Sequence, residues 1–297
     1  MAAASLAFLT PVYKRFALTE ICLRQRRWVC DELKKRFDID ATCIVIGDDE
    51  NLEVARSLGF LAQTHSNFAQ AAHVNRGEPY VALGMKFNAG YARAYTEAID
   101  LVFPIGSDSW IDPSYFDELP ERGELFLSRA YNLVTPDAKR RGALWIGWEG
   151  GVQWITRTED WEHRVNRQGR WAVVSEDLSK GCDTSTWNHK LPGLRIKECH
   201  HHQLEYVAFQ SPSNQITDYL AIMARYGISE VIGEAVFDDL VEFYRAEDIL
   251  ALRKHYNGER IVALSELIKS MYDELEETQH EYGELLDEAA RLNEEAA

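Results

Sequence analysis

Apolar residues follow two rhythms in the first third of the chain: short unbroken runs, and longer stretches where they recur every three or four positions. The runs are Leu6-Ala-Phe-Leu-Thr10, stopped by Pro11, then Ala41-Thr-Cys-Ile-Val-Ile-Gly47, a shorter one from Gly59 to Gln63, and Leu101-Val-Phe-Pro-Ile-Gly-Ser-Asp-Ser-Trp-Ile-Asp112. Runs of this length bounded by Gly, Pro and acidic residues predict buried strands. Between them, Leu18, Ile21, Cys22, Trp28, Val29, Leu33 and Phe37 recur at helical spacing up to the break at Asp38-Ile-Asp40. Leu52 to Leu58 predicts a short helix, and Leu83 to Asp100 a loop entering a helix that turns its alanines to the sheet. This alternation of strand and helix argues for a mostly parallel sheet with right-handed crossovers. The expected class is α/β, a Rossmann-like mixed sheet flanked by helices.

Beyond Pro113 the pattern loosens. Leu125-Phe-Leu, Ala143-Leu-Trp-Ile-Gly-Trp148 and Trp171-Ala-Val-Val174 are strand candidates separated by charged or Gly-rich loops, which predicts an antiparallel or mixed second half. The tryptophans at 145, 148, 154, 161, 171 and 187 read as core, or as stacking faces for sugars if several line one cleft. Residues 216–262 predict a helical bridge. From Ala263, the residues Leu264, Ile268, Met271, Leu275, Thr278, Tyr282, Leu285, Ala289 and Leu292 follow 4-3 spacing, a coiled-coil seam imperfect at Thr278 and Ala289. The expected organisation is thus one α/β domain over 1–215, a bridge over 216–262 and an acidic helix over 263–297 that makes a homodimer.

Composition sharpens this in three ways. An apolar fraction of 46% supports a sizeable core without staples. Five cysteines with no CxxC pair suggest neither a disulfide framework nor a zinc knot, and no stretch is long and apolar enough to span a bilayer, so a soluble, uncleaved, cytoplasmic protein is expected. The net charge of −16 is uneven. Eighteen acidic against six basic residues from Gly233 onward place −12 in that segment and leave −4 for the rest, so the acidity belongs to the tail. It disfavours a nucleic-acid substrate without removing a local basic groove.

Candidate chemistry gathers where strands end. Asp108 closes the run from Leu101 between small residues, and Asp48 and Asp49 follow the run ending at Gly47. In open α/β sheets ligands collect beyond the carboxyl ends of the strands, which would put these acids in a crevice. The alternative is that Asp108 caps the short helix starting near Pro113. Later, Asp183 lies in a small-residue loop, Glu149 follows Trp148, and Asp160 precedes Trp161. Read from its surroundings alone, Asp183 is a turn aspartate in Gly-Cys-Asp-Thr. In Cys199-His-His-His202, alternation along a strand would turn His200 and His202 to one side and His201 to the other.

The order Thr10-Pro-Val-Tyr-Lys-Arg15, Ile46-Gly-Asp-Asp49, Lys86-Phe-Asn-Ala-Gly90 and Ile105-Gly-Ser-Asp-Ser-Trp-Ile-Asp-Pro113 resembles the N-terminal half of family-2-like glycosyltransferases with the GT-A fold. Lys180 to Trp187 and Tyr206 to Thr217 look like segments of phage-type and capsule-type relatives. By that analogy Asp183 is the leading candidate for the base or acceptor-binding carboxylate of an inverting transfer, with its reading as a turn aspartate equally open and Glu149 and Asp160 competing for the role. The resemblance implies a nucleoside diphosphate sugar as donor. Thr10, Pro11 and Arg15 would line the nucleotide pocket, Asp48 or Asp49 would meet the base or ribose, and Lys86, Asn88 and Ser107 would lie near the nucleotide or diphosphate. It also implies Mn²⁺ or Mg²⁺ on Asp108, the last aspartate of the family's DxD motif, with His200 or His202 as a further ligand. Gly106-Ser107-Asp108 departs from that motif in lacking its first carboxylate. The acceptor would be a protein, a glycan or a modified nucleobase. Two other readings compete. A nucleotidyltransferase is disfavoured because Thr10 to Arg15 contains no glycine for a phosphate loop. A non-catalytic scaffold on a degenerate GT-A domain draws its support from the missing carboxylate.

Overall fold

The structure is a computed structural model that describes residues 4–66, 68–69, 80–128, 132–134, 141–144, 153–160, 173–174, 194–198, 206–209, 240–258 and 269–270. Its two units are Met1–Leu252 and Arg253–Ala297. The first begins with β1 (Ser5–Pro11), α1 (Phe16–Phe37), β2 (Asp40–Gly47), α2 (Asn51–Ser57) and β3 (Leu61–Thr64). A small hairpin of β4 (Phe68–Ala69) and β5 (Tyr80–Val81) precedes α3 (Leu83–Thr96). After it come β6 (Leu101–Pro104), β7 (Ser109–Ile111), β8 (Glu124–Ser128), β9 (Asn132–Val134), β10 (Arg141–Leu144), β11 (Gln153–Arg157), β12 (Arg195–Glu198) and β13 (Tyr206–Phe209). Residues 246–252 are helical; in the second unit, so are 253–258 and 269–270.

The main sheet has seven strands in the order β12-β8-β11-β6-β1-β2-β3. From β6 to β3 neighbours run parallel, in register Phe8 with Phe103 and with Cys43. β11 runs antiparallel to both β6 and β8, which makes the sheet mixed as the loosened pattern predicted. The apolar runs are unbroken because both faces are covered. Leu6, Phe8, Cys43, Val45, Leu101 and Phe103 pack with Leu23, Val29 and Leu33 of α1. The alternate residues Ala7, Leu9, Ile44, Ile46 and Val102 pack with Phe87, Tyr91 and Ala94 of α3. The face α3 turns inward is therefore aromatic as much as alanine. Gly90 permits its approach, since a Cβ there would stand 3.1 Å from Ile46 Cδ1 and 3.4 Å from Leu9 Cδ2.

One expected strand is two. The run from Leu101 to Asp112 leaves the main sheet after β6, turns at Gly106 to Asp108, and re-enters as β7 at the edge of a second sheet ordered β10-β9-β13-β7. Asp108 is thereby placed in a tight turn between sheets. The cap of the turn at Pro113–Phe116 is Asp112, whose Oδ1 accepts from Ser114 N at 2.9 Å and Ser114 Oγ at 2.5 Å. Asp108 is not that cap. Among the described residues, no helix is long and apolar enough to cross a membrane.

Candidate functional site

Three parallel strands, β1, β2 and β6, end side by side at one edge of the sheet, and the loops that follow them carry the charges. After β1, Lys14 and Arg15 adopt left-handed backbone at φ 53° and 51°. For residues with a Cβ this costs about 1–2 kcal/mol each, so neighbouring groups must hold it. Asp49, at the β2 tip, does so. One oxygen accepts from Lys14 N at 3.0 Å, the other from Asn51 Nδ2 at 2.9 Å and Asn51 N at 3.1 Å, while Asn51 Nδ2 also donates to Lys14 O at 3.1 Å. This clamp sends Arg15 across to the β6 tip. Its guanidinium donates to Asp108 Oδ2 at 2.6 Å and Ser107 Oγ at 2.9 Å, the two-pronged geometry in which arginine reads oxyanions.

Lys86 rises from the first turn of α3 and is 1% exposed. Its Nζ donates to Val12 O at 2.6 Å, and burial pushes its pKa down to about 8 while Asp49 and Asp48 pull it up. Two ammonium groups stand over the Tyr13 ring, Lys14 Nζ at 5.1 Å and Lys86 Nζ at 5.8 Å from its centroid, and the half-exposed Phe68 meets it edge-on at 5.2 Å.

Beneath the tips lies Arg26 of α1, wholly buried. Its guanidinium donates to Thr10 Oγ1 at 2.7 Å, Ser109 O at 2.9 Å and Gly106 O at 3.2 Å, tying the end of β1 to the turn around Asp108. All three acceptors are neutral, and Nε has no partner among the described residues. The nearby thiols Cys22, Cys30 and Cys43 have their pKa raised by burial, so they stay uncharged and supply no counterion.

Of the expected pocket residues, Arg15, Ser107, Asp108, Asp49 and Lys86 are brought together at this edge. Thr10 and Pro11 are buried within the β1 tip, where Thr10 supports Arg26, and Asp48 is exposed beside Asp49. Asn88 is directed elsewhere. Its side chain exchanges two 3.0 Å hydrogen bonds with the backbone of Val174, which uses both its polar atoms to pin residues 173–174 against α3. Asp160 lies at the opposite end of the sheet. Because β11 is antiparallel to β6, Arg157 pairs with Leu101 at the start of β6, and Asp160 beyond it accepts from Gly123 N at 3.1 Å. Burial raises its pKa, but it shares no edge with Asp108. Asp183, Glu149, His200 and His202 lie outside the described residues.

The turn around Gly106 bears on the metal. A Cβ at position 106 would fall 2.4 Å from Asp108 Oδ1, so a side chain there would have to turn the Asp108 carboxylate away from its bond to Arg15. Mn²⁺ and Mg²⁺ require several hard oxygen donors. Here the one tip carboxylate of β6 is already bonded to Arg15, and no group of three His, Cys, Asp or Glu gathers among the described residues. A single carboxylate holds such an ion only together with phosphate oxygens and water, and in this structure that carboxylate is given to Arg15.

Sequence reasoning missed Arg26 and Asn51. Arg26 was visible as a cation inside the apolar stripe, one turn after Cys22 and one turn before Val29 and Cys30. Asn51 carried no such mark.

No protein-family model and no curated protein matches the chain. Solved structures that resemble it include the following transferases. The inositol-1-phosphate CTP transferase of T. maritima is 11% identical, with 76% of this chain and 97% of that one covered at a TM-score of 0.38. A β-1,4-galactosyltransferase 7 from Drosophila, in complex with manganese, UDP-Gal and xylobiose, is 13% identical over 66% and 65% at 0.36. A glycosyltransferase involved in glycosylation of the major capsid of PBCV-1 is 8% identical over 75% and 99% at 0.36.

Proposed function

We propose that the protein is a glycosyltransferase of GT-A type that binds a nucleoside diphosphate sugar at the tips of β1, β2 and β6 and moves the sugar to an acceptor hydroxyl. The observation that carries this is the Arg15 fork, aimed by the Asp49 clamp at Ser107 and Asp108, with Lys86 on the same edge. As the glycosidic bond breaks, the departing nucleoside diphosphate gains negative charge, and preorganised cations at a strand-tip crevice stabilise it. Asp49 and Asn51 are assigned to hold the loop. Asp183 and Glu149 keep the proposed role of general base, whereas Asp160 leaves it because it sits at the far end of the sheet. The acceptor class stays a protein, a glycan or a modified nucleobase.

A nucleotidyl transfer is disfavoured by the loop after β1, which keeps side chains at Lys14 and Arg15 in the left-handed conformations glycine would relieve. The test is incubation with UDP, GDP and dTDP sugars, following nucleotide release and thermal shift. Release of the diphosphate with sugar appearing on water or acceptor supports the reading. Stabilisation by nucleotides without turnover would favour the scaffold, and neither effect would end both. The acidic segment 263–297 is proposed to dimerise as a coiled coil.

A further inference from the structure

We propose that the donor's diphosphate is held by guanidinium charge, Arg15 at the strand tips and Arg26 beneath them, in place of a divalent cation. The inference rests on the glycosyltransferase reading and goes beyond it by assigning the counter-charge.

The first support is electrostatic. Arginine cannot shed its proton, so Arg26 brings a permanent positive charge into a fully buried position. Burying an ion costs several kcal/mol unless a counter-charge repays it. Yet its guanidinium meets three neutral oxygens, from Thr10, Ser109 and Gly106, and no described carboxylate pairs with it. Two of those oxygens belong to the turn that carries Asp108, so the charge lies directly under the β1 and β6 tips. An anion bound there supplies the missing half of the pair. The N-terminus of the 22-residue α1 adds to the same potential, for it opens at Phe16 with no acidic residue in its first turn and no side-chain cap.

The second support is geometric. Arg15 grips Asp108 Oδ2 and Ser107 Oγ as it would grip two oxygens of a phosphate, so the carboxylate is a stand-in for the diphosphate at that fork. The third is steric. Asp108 Oδ1 lies 2.4 Å from where a Cβ of residue 106 would stand, so a side chain at that position would turn the carboxylate away from Arg15, and the observed Arg15–Asp108 pair depends on Gly106.

The roles of Asp108 then invert. A metal ligand is needed for nucleotide binding, whereas a stand-in competes with it. The probes are UDP, GDP, CDP and dTDP, titrated calorimetrically into the full-length protein after EDTA treatment and again with Mn²⁺ or Mg²⁺, with the matching nucleosides as controls. The proposal expects one diphosphate to bind in EDTA with affinity changed less than about threefold by either metal. Arg15→Ala should weaken it by about tenfold or more, the worth of a charge-assisted hydrogen bond, while the nucleoside is unaffected. Asp108→Asn should bind at least as tightly as the wild type. Arg15→Lys, which keeps charge but loses the fork, should fall between. Binding that vanishes in EDTA and returns with Mn²⁺, or that Asp108→Asn weakens about tenfold, overturns the proposal and leaves the glycosyltransferase reading standing. If no diphosphate binds under any condition, that reading falls and the proposal with it.

Discussion

Replacing Lys86 by Met isolates the most perturbed cation of the site. Lys86 has its pKa lowered from 10.5 to about 8, mainly by burial, so the folded state releases its proton before the unfolded state does. The sign follows from proton counting. Below about pH 8 both states hold the proton and the folded protein bears the full cost of a charged, buried ammonium. Between about 8 and 10.5 the unfolded chain binds more protons, so stability rises with pH through that window; above it the cost is gone. A shift of this size is worth about 3 kcal/mol, of which about 2 kcal/mol should be recovered between roughly pH 7.5 and 10. Met keeps the length and apolar stem and removes the charge together with the bond to Val12 O, a loss that is independent of pH. Urea unfolding of both proteins at the two pH values gives the readout. Other groups titrate equally in both, so the stability of the wild type minus that of Lys86→Met should rise by about 2 kcal/mol from the lower pH to the higher. A difference that is flat or falls with pH would refute the argument that burial, and not the neighbouring carboxylates, governs this lysine.

Asp49→Ala removes the acceptor that holds Lys14 and Asn51, and should cost about 1–2 kcal/mol in urea unfolding while weakening nucleotide binding through a misplaced Arg15. Lys14→Gly relieves a left-handed residue without touching the clamp's backbone donor and should raise stability by up to about 1 kcal/mol, read in the same assay. Gly106→Ala must push the Asp108 carboxylate aside and break its bond to Arg15. A loss of about 1 kcal/mol is expected, shrinking when the same change is made in Asp108→Asn. Truncation at Ala263 should halve the mass seen by light scattering, and an unchanged mass would remove the coiled-coil dimer.

The sequence alone determined the layered α/β unit, because burying a strand on both faces leaves an unbroken apolar run and packing a helix on one face leaves a 3.6-residue stripe. It also placed Asp48, Asp49 and Asp108 just beyond two strands that β1 draws into parallel register, which brings them to one edge of the sheet. Such features are local in the chain and need no knowledge of the partner element. What depended on strand direction was not legible. Asp160 competed with Asp183 and Glu149 in the sequence, and only the antiparallel course of β11 places it at the end of the sheet opposite Asp108. Asn88, two residues from Lys86, is claimed by Val174 across a tertiary contact. The division of Leu101–Asp112 between two sheets depends on β13, which pairs with β7 from about a hundred residues away. The meaning of the absent acid at Gly106 was likewise decided only in three dimensions. The chain shows a glycine; the fold shows that a side chain there would press on the Asp108 carboxylate, and that the charge beneath it is Arg26. Distance along the chain carries no information on either, because both arise where segments far apart in sequence are packed against one another.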